Sequence, residues 1–208
     1  MILEVMQSRR SIRKFVSEMP DRKLLEQLIE AAVTAPSASN KQPWRFLIIT
    51  NAEIKQRMVE AVSAAVHRVA AHVEPQFEAA FRAYGDYFTR FTNAPVIIVP
   101  LSRPLTLLSS MLGTGLSATD LHNISIMEQQ SGIVSSSLAM QNILLSAHAL
   151  GLGASALTGP LIAMDDFRTI LGVQAGWGIV ALIAVGYPDE QPTVPPRKSA
   201  TAVTRWMV

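Results

Sequence analysis

Ala35-Pro36-Ser37-Ala38-Ser39-Asn40-Lys41-Gln42-Pro43 runs directly into Trp44-Arg45-Phe46-Leu47-Ile48-Ile49-Thr50, and this junction decides the fold. Its first half is built of residues that favour turns for backbone reasons. Its second half, rich in aromatic and apolar residues, reads as a buried strand. A polar loop therefore feeds a sheet. Upstream, Pro20 and Asp21 make a helix start, and Leu24, Leu25, Leu28, Ile29, Ala32 and Val33 recur at helical spacing until Pro36 ends the pattern. Downstream, Ile54, Met58, Val62, Ala65, Val66 and Val69 lie on one helical face, and Phe77, Ala80, Phe81, Tyr84, Phe88 and Phe91 keep the same period. The spacing predicts two amphipathic helices parted near Pro75.

Further out, Ile2 to Ser8 reads as a short helix, and Asn93-Ala94-Pro95 as a turn into a second strand, Val96 to Val99. A long helix is predicted from about Ile133 to Ala149, ended at Leu150-Gly151-Leu152-Gly153, where glycine can take the left-handed conformation. A strand at Ala154 to Leu157, a short helix opened by Asp165 and Asp166 and closed by Gly172, and a central strand from Gly178 to Gly186 follow. From Pro188 the tail is Pro-rich and extended. Residues 102–131, a mixture of Ser, Thr, Gly and Leu, carry no clear period and read as a variable lid or insertion. Strands this far apart in sequence, outnumbered by helices, predict the α+β class, with a mixed central sheet covered by helices in a single domain over 1–208.

The composition excludes several function classes. There is no cysteine, so disulfides and thiolate chemistry or ligation are ruled out. The four histidines, His67, His72, His122 and His148, are scattered, and the five-residue step between the first two misses the spacing that aligns ligands on a helix; no metal site is expected. A net charge of +2, with 18 Lys and Arg in 208 residues, is thin for a nucleic-acid surface. The apolar stretches 94–101 and 178–187 fall well short of the roughly 20 residues that span a bilayer, and the N-terminus lacks the pattern of a signal peptide. A cytoplasmic protein that binds neither membrane nor nucleic acid is expected.

One stretch is chemically pointed. Arg9-Arg10-Ser11-Ile12-Arg13-Lys14-Phe15 packs four cations into six consecutive residues. Such a run is either a solvated basic turn or a phosphate site, because a bound dianion converts the mutual repulsion into attraction. At about 4 Å and an effective dielectric near 20, each Arg–phosphate pair gains on the order of 4 kcal/mol before desolvation.

Four segments in this order, residues 9–15, residues 35–44, Leu150-Gly151-Leu152-Gly153-Ala154, and Gly186-Tyr187-Pro188 with Pro196-Arg197-Lys198, give a chain that resembles the FMN-dependent nitroreductase family over nearly its whole length apart from 102–131. The resemblance implies a homodimer with FMN at the subunit interface. By it, Arg9 and Ser11 hold the FMN phosphate, Arg10 lies beside the ribityl-phosphate, Arg13 approaches the N1/O2 edge of the ring, and Arg197 with Lys198 closes over the phosphate. A cation near N1 stabilises the reduced ring more than the oxidised one. The loop Pro36, Ser37, Ala38 and Asn40 is implied to reach the flavin of the partner subunit, whereas Gln42 and Trp44 fix the loop and pack the core. Leu157 is implied to pack on the ring, with the backbone of Thr158 and Gly159 near N5. Gln141 and Asn142 read as helix packing. The aromatic stripe from Phe81 to Phe91 reads either as core or as a lid. The implied activity is NAD(P)H-dependent reduction of nitroaromatic or quinone-like acceptors by a ping-pong hydride cycle, with no dedicated catalytic acid or base. The alternatives are a flavin-sequestering protein and a dehalogenating or flavin-fragmenting member of the same family.

Overall fold

The structure, a computed structural model, describes residues 2–207. In chain order the elements are α1 (Ile2–Ser8), α2 (Arg22–Val33), β1 (Trp44–Ile49), α3 (Ala52–Ala70), α4 (Pro75–Gly85), β2 (Val96–Ser102), α5 (Ala118–Ala149), β3 (Gly153–Leu157), α6 (Met164–Ile170), β4 (Gly178–Ile179), β5 (Leu182–Gly186) and α7 (Ala200–Val203). The sheet order is β1-β2-β5-β3, with β4 also on β2. The named strand pairs are antiparallel. The parallel component of the expected mixed sheet is a bridge between Ser11 and Ala154 at the β3 edge.

Every residue of β2 and β5 is buried, because helices cover both faces of the sheet; a strand sheltered on both sides is expected to be apolar, and these are, apart from Ser102 at the end of β2. Val96 and Ile98 point to the face packed by Leu25 and Leu28 of α2 and by Ile143 of α5. Ile97 and Val99 point the other way, against Met58 and Val62 of α3 and Phe167 of α6, as the two-residue period of a strand requires.

The predicted strand at 178–186 is divided. Pro100 sits inside β2, opposite Phe46 of β1, and has no N–H to give its other neighbour. The ladder yields there: Val180 donates to the Pro100 carbonyl at 2.9 Å, and the register against β2 steps by one residue between β5 and β4, a local bulge. The same proline explains why β2 reads as ending at Val99 although it continues to Ser102.

The long helix starts at Ala118, not near Ile133, so half of the expected lid or insertion is the first half of α5. Ser117 caps it, accepting from the Asp120 N–H at 3.1 Å, so Ser117 and Asp120 form an N-terminal signal. The helical period is blurred because Leu121, Ile126, Met127, Ile133, Val134 and Leu138 are all exposed in the protomer, leaving no clean contrast of faces. At its other end α5 closes as expected: Gly151 has φ +76°, and Leu152 donates to Ala147 while Gly151 donates to His148, the paired bonds of a Schellman cap.

Candidate functional site

After α1 the chain runs along the edge of β3. Ser11 bridges Ala154, and the Ile12 N–H donates to the Ala154 carbonyl at 3.1 Å. The segment beyond β5 returns to the same place. Val16 donates to Tyr187 at 3.1 Å and Asp189 to Lys14 at 3.0 Å, while Glu190 Oε1 accepts the backbone N–H groups of Arg13 and Lys14. These bonds fix the tail against the N-terminal run. Arg9, Arg10, Ser11 and Arg13 consequently share one cavity of about 320 Å³ with Pro192, Thr193, Pro195 and Arg197. The two ends of the chain converge on it.

The charged side chains that line it are all cationic. Burial lowers the affinity of the Arg9 guanidinium for its proton, and the charges of Arg197 and then Arg10 lower it further. Among the described residues the ion pairs are Arg22–Glu26, Arg68–Asp166 and Arg82–Glu78, so none neutralises this cluster. The Glu190 carboxylate, whose Oε1 accepts the Arg13 and Lys14 N–H groups, lies beside the cluster and makes no ion pair with it. Arg10 donates to the carbonyls of Gln7 and Arg9 at 2.7 and 2.9 Å, and Arg13 to that of Ser11 at 3.3 Å, which orients these side chains without pairing them with a carboxylate. Such an arrangement costs free energy until an anion enters it. Lys198 is exposed and is not among the residues lining this cavity. Pro192, Thr193 and Pro195 complete the wall and were not foreseen; the Pro-rich composition gave only an extended tail.

Pro36, Ser37 and Ala38 lie elsewhere in the protomer. They line a larger cavity, about 520 Å³, against the exposed apolar face of α5 formed by Ile126, Met127, Val134 and Leu138; Asn40 is exposed and lines neither cavity. The loop is tied by Ser37 Oγ, which accepts the Gln42 N–H at 3.0 Å, by Asn40 Oδ1, which accepts from Gln42 Nε2 at 3.3 Å, and by Ser135 Oγ, which accepts the Ala38 N–H at 3.4 Å. Trp44 is buried with Leu25, Leu28 and Ile143. Ser39, Asn40 and Gln42 have φ of 50°, 51° and 47°, three side-chain-bearing residues in the left-handed region, which costs roughly 1 kcal/mol or more apiece. This concentration of strain was invisible in the sequence, which shows turn formers but not their torsions.

Leu157, Thr158 and Gly159 follow from β3. Leu157 is half-buried against the α3–α6 core, Thr158 is exposed, and Gly159 is pressed against Phe88, whose Cδ1 would lie 2.3 Å from an added Cβ. Phe88 stacks edge-on against Tyr84 at 5.0 Å. The aromatic stripe thus divides: Phe91 is core, Phe88 supports the 157–159 segment, Phe81 is half-buried, and Tyr84 faces solvent. Asn142 packs as expected, donating to the Ala31 carbonyl at 3.0 Å and to Thr34 Oγ1 at 3.2 Å on α2.

Known proteins share the sequence pattern and the fold. The chain is 29% identical over 198 residues to an iodotyrosine deiodinase of Drosophila melanogaster, covering 93% of this chain but only 64% of the deiodinase. It is also 29% identical over 196 residues to a putative NADH dehydrogenase/NAD(P)H nitroreductase of Methanothermobacter thermautotrophicus, covering 92% and 79% of the two chains. Its fold superimposes on a BluB-like flavoprotein of Clostridium difficile with a TM-score of 0.86, at 21% identity and 100% and 99% coverage. It superimposes on an FMN-bound nitroreductase of Desulfitobacterium hafniense with a TM-score of 0.71, at 24% identity and 99% and 97% coverage. The family model for nitroreductases matches residues 6–187, from the last turn of α1 to the residue after β5, and the chain therefore belongs to the nitroreductase family.

Proposed function

We propose that this chain is an FMN-dependent oxidoreductase, a homodimer that uses NAD(P)H to reduce nitroaromatic or quinone-like acceptors in ping-pong order. The observation that carries the reading is the convergence of Arg9, Arg10, Ser11, Arg13 and Arg197 on one cavity whose charged lining is cationic. A phosphate dianion fits such a donor set, since guanidiniums bind it by charge-assisted hydrogen bonds. In this reading Arg9, Ser11 and Arg197 hold the FMN phosphate, Arg10 flanks it, and Lys198 adds its charge from just outside the cavity. Arg13 acts at the N1/O2 edge of the ring, where a fixed positive charge favours the reduced cofactor. β3 leads away from the cluster: from Ala154, beside Ser11, to Leu157 is about 10 Å in extended geometry, a span that supports Leu157, Thr158 and Gly159 as the residues that would meet the ring. When bound, FMN supplies two-electron hydride transfer.

Dimerisation is supported by the strained 37–42 loop and the apolar α5 face beside it. Pro36, Ser37, Ala38 and Asn40 stand apart from the basic cavity of their own protomer, and in the proposed dimer they reach the cofactor held by the partner. The FMN bound by the Desulfitobacterium nitroreductase and the similarity to the putative NAD(P)H nitroreductase of Methanothermobacter thermautotrophicus support cofactor and donor. The test is anaerobic: purified protein is expected to be yellow, to bleach with NADH or NADPH, and to recover its colour on adding a nitroaromatic or a quinone. Colour that neither nucleotide bleaches would overturn the turnover reading in favour of flavin sequestration.

A second reading, reductive dehalogenation, is favoured by the similarity to the deiodinase. Halide release from a halogenated phenol by the reduced protein, with no consumption of nitroaromatic or quinone, would select it.

A further inference from the structure

A further cavity, of about 380 Å³, adjoins the cationic one: Arg10 and Pro192 line both. Ser8 at the end of α1, His148 at the end of α5 and Glu190 from the segment after β5 enclose it, and Leu152 and Pro188 give it an apolar wall. The bonds that tie the tail to the N-terminal run also shape this space, since Glu190 Oε1 accepts the Arg13 and Lys14 N–H groups. Unlike its neighbour, the cavity carries both signs of charge, the Arg10 guanidinium and the Glu190 carboxylate.

Its polar groups are one cation and two acceptors. Arg10 gives Nη1 to the Gln7 and Arg9 carbonyls and keeps Nε and Nη2 for a ligand. Glu190 makes no ion pair among the described residues, and with Oε1 on the backbone its Oε2 is left to accept. Ser8 Oγ donates to the Glu4 carbonyl at 2.7 Å and lies 2.7 Å from His148 Nε2. A hydroxyl has one proton to give, so Nε2 is the donor to Ser8, and in the neutral ring Nδ1 is the remaining acceptor. This set suits a nucleoside joined to a phosphoryl group. A guanidinium meets the phosphoryl oxygens, a carboxylate accepts ribose hydroxyls, and the imidazole nitrogen accepts from an exocyclic amino group. A second free dianion is disfavoured, because the Glu190 carboxylate repels it. The volume falls within the roughly 300–1,000 Å³ of small-molecule pockets.

We propose that this cavity receives the adenylate half of FAD, so that the chain accepts FAD as well as FMN. The proposal rests on the FMN reading, which puts the flavin phosphate in the cationic cavity next door. Arg10, common to both cavities, meets both phosphoryl groups; Glu190 Oε2 accepts the ribose hydroxyls and His148 Nδ1 the adenine amino group, with the base against Leu152, Pro188 and Pro192. Joining the flavin phosphate to an adenylate removes one of its two charges, so without contacts in the second cavity FAD would bind more weakly than FMN.

The test is calorimetric titration of the flavin-free protein with FMN and, separately, with FAD. Wild type is expected to bind FAD at least as tightly as FMN. Ser8 is exposed and lines the second cavity but not the first, so Ser8→Trp fills the second alone. It is expected to weaken FAD at least tenfold, about 1.4 kcal/mol, and to leave FMN affinity unchanged. Glu190→Gln keeps an acceptor for the Arg13 and Lys14 N–H groups and is expected to lower the ratio of FAD to FMN affinity. FAD bound more weakly than FMN by wild type, or a ratio that neither folded variant moves, would overturn this proposal and leave the FMN reading standing; binding of neither flavin would overturn both. Saturable binding of AMP to the FMN-loaded protein, lost in Ser8→Trp, would assign the cavity to a separate nucleotide and overturn the FAD assignment.

Discussion

Replacing Gly153 by alanine tests how the fold builds the cationic cavity. A Cβ at this position would lie 2.7, 2.8 and 3.0 Å from Cγ2, Cβ and Cγ1 of Ile12, whereas carbon atoms pack comfortably at about 3.5–4.0 Å. Ile12 must therefore retreat by roughly 1 Å, and it is tied to β3 by the 3.1 Å bond from its N–H to Ala154. Overpacking of this kind costs about 1–3 kcal/mol, and weakening the tie adds about 1 kcal/mol. Arg9, Ser11 and Arg13 flank Ile12, so the same retreat moves the groups proposed to hold the phosphate. The variant is expected to lose about 2–4 kcal/mol in denaturant unfolding of the apoprotein, and to bind FMN at least tenfold more weakly, about 1.4 kcal/mol, in a fluorescence titration. Gly151→Ala is the control. Its φ of +76° opposes a side chain, but nothing lies within 4 Å of the added atom, so it should cost about 1 kcal/mol of stability and leave FMN affinity unchanged. A folded Gly153→Ala protein with FMN affinity within twofold of wild type would refute the coupling of β3 to the cavity.

Gly159→Ala meets the Phe88 ring at 2.3 and 2.4 Å, and is expected to lower stability by about 1–3 kcal/mol and to alter the bound flavin spectrum. Asn40→Asp adds a charge to an exposed loop and should change protomer stability by no more than about 0.5 kcal/mol, yet impair FMN retention in the dimer; an unaltered flavin spectrum would place this loop away from the cofactor. The Glu128 carboxyl is held below its ordinary value of 4.5 by the Ser109, Leu107 and Leu108 N–H groups against the opposing effect of burial. Its stabilisation is therefore full above that ordinary value and is lost as pH falls through the depressed one. Glu128→Gln should be less stable at neutral pH and show a shallower acid-unfolding curve below pH 4.5; an acid limb identical to wild type would remove this role.

The sheet and its helical cover were legible wherever burial imposes a period. Leu25, Leu28 and Ala32 of α2 and Met58, Val62 and Ala65 of α3 sit where their spacing put them. Legibility failed where a local rule was overridden. Pro100 reads as a strand end, but a one-residue register step lets the ladder absorb it. The first half of α5 carries apolar residues on surfaces left open in the protomer, so its period dissolves although Ser117 caps it. In the cationic cavity, the N-terminal arginines are visible as a run and Arg197 as a basic residue in the tail. Their meeting depends on the hydrogen bonds of Lys14 and Val16 to the segment after β5, which no single stretch of sequence encodes. The cavity beside it, assembled from Ser8, Arg10, His148 and Glu190 on separate segments, leaves no linear signature.

The central claim concerns a phosphoryl group, so its most direct test compares two ligands that differ in that group alone. Dissociation constants of FMN and riboflavin are measured for wild type and for Arg9→Gln/Arg197→Gln by quenching of flavin fluorescence. Wild type is expected to prefer FMN by at least 100-fold, about 2.7 kcal/mol, and the double variant to retain less than tenfold preference with riboflavin affinity unchanged. Equal binding of the two flavins by wild type, or a preference that survives loss of both guanidiniums, would contradict the assignment.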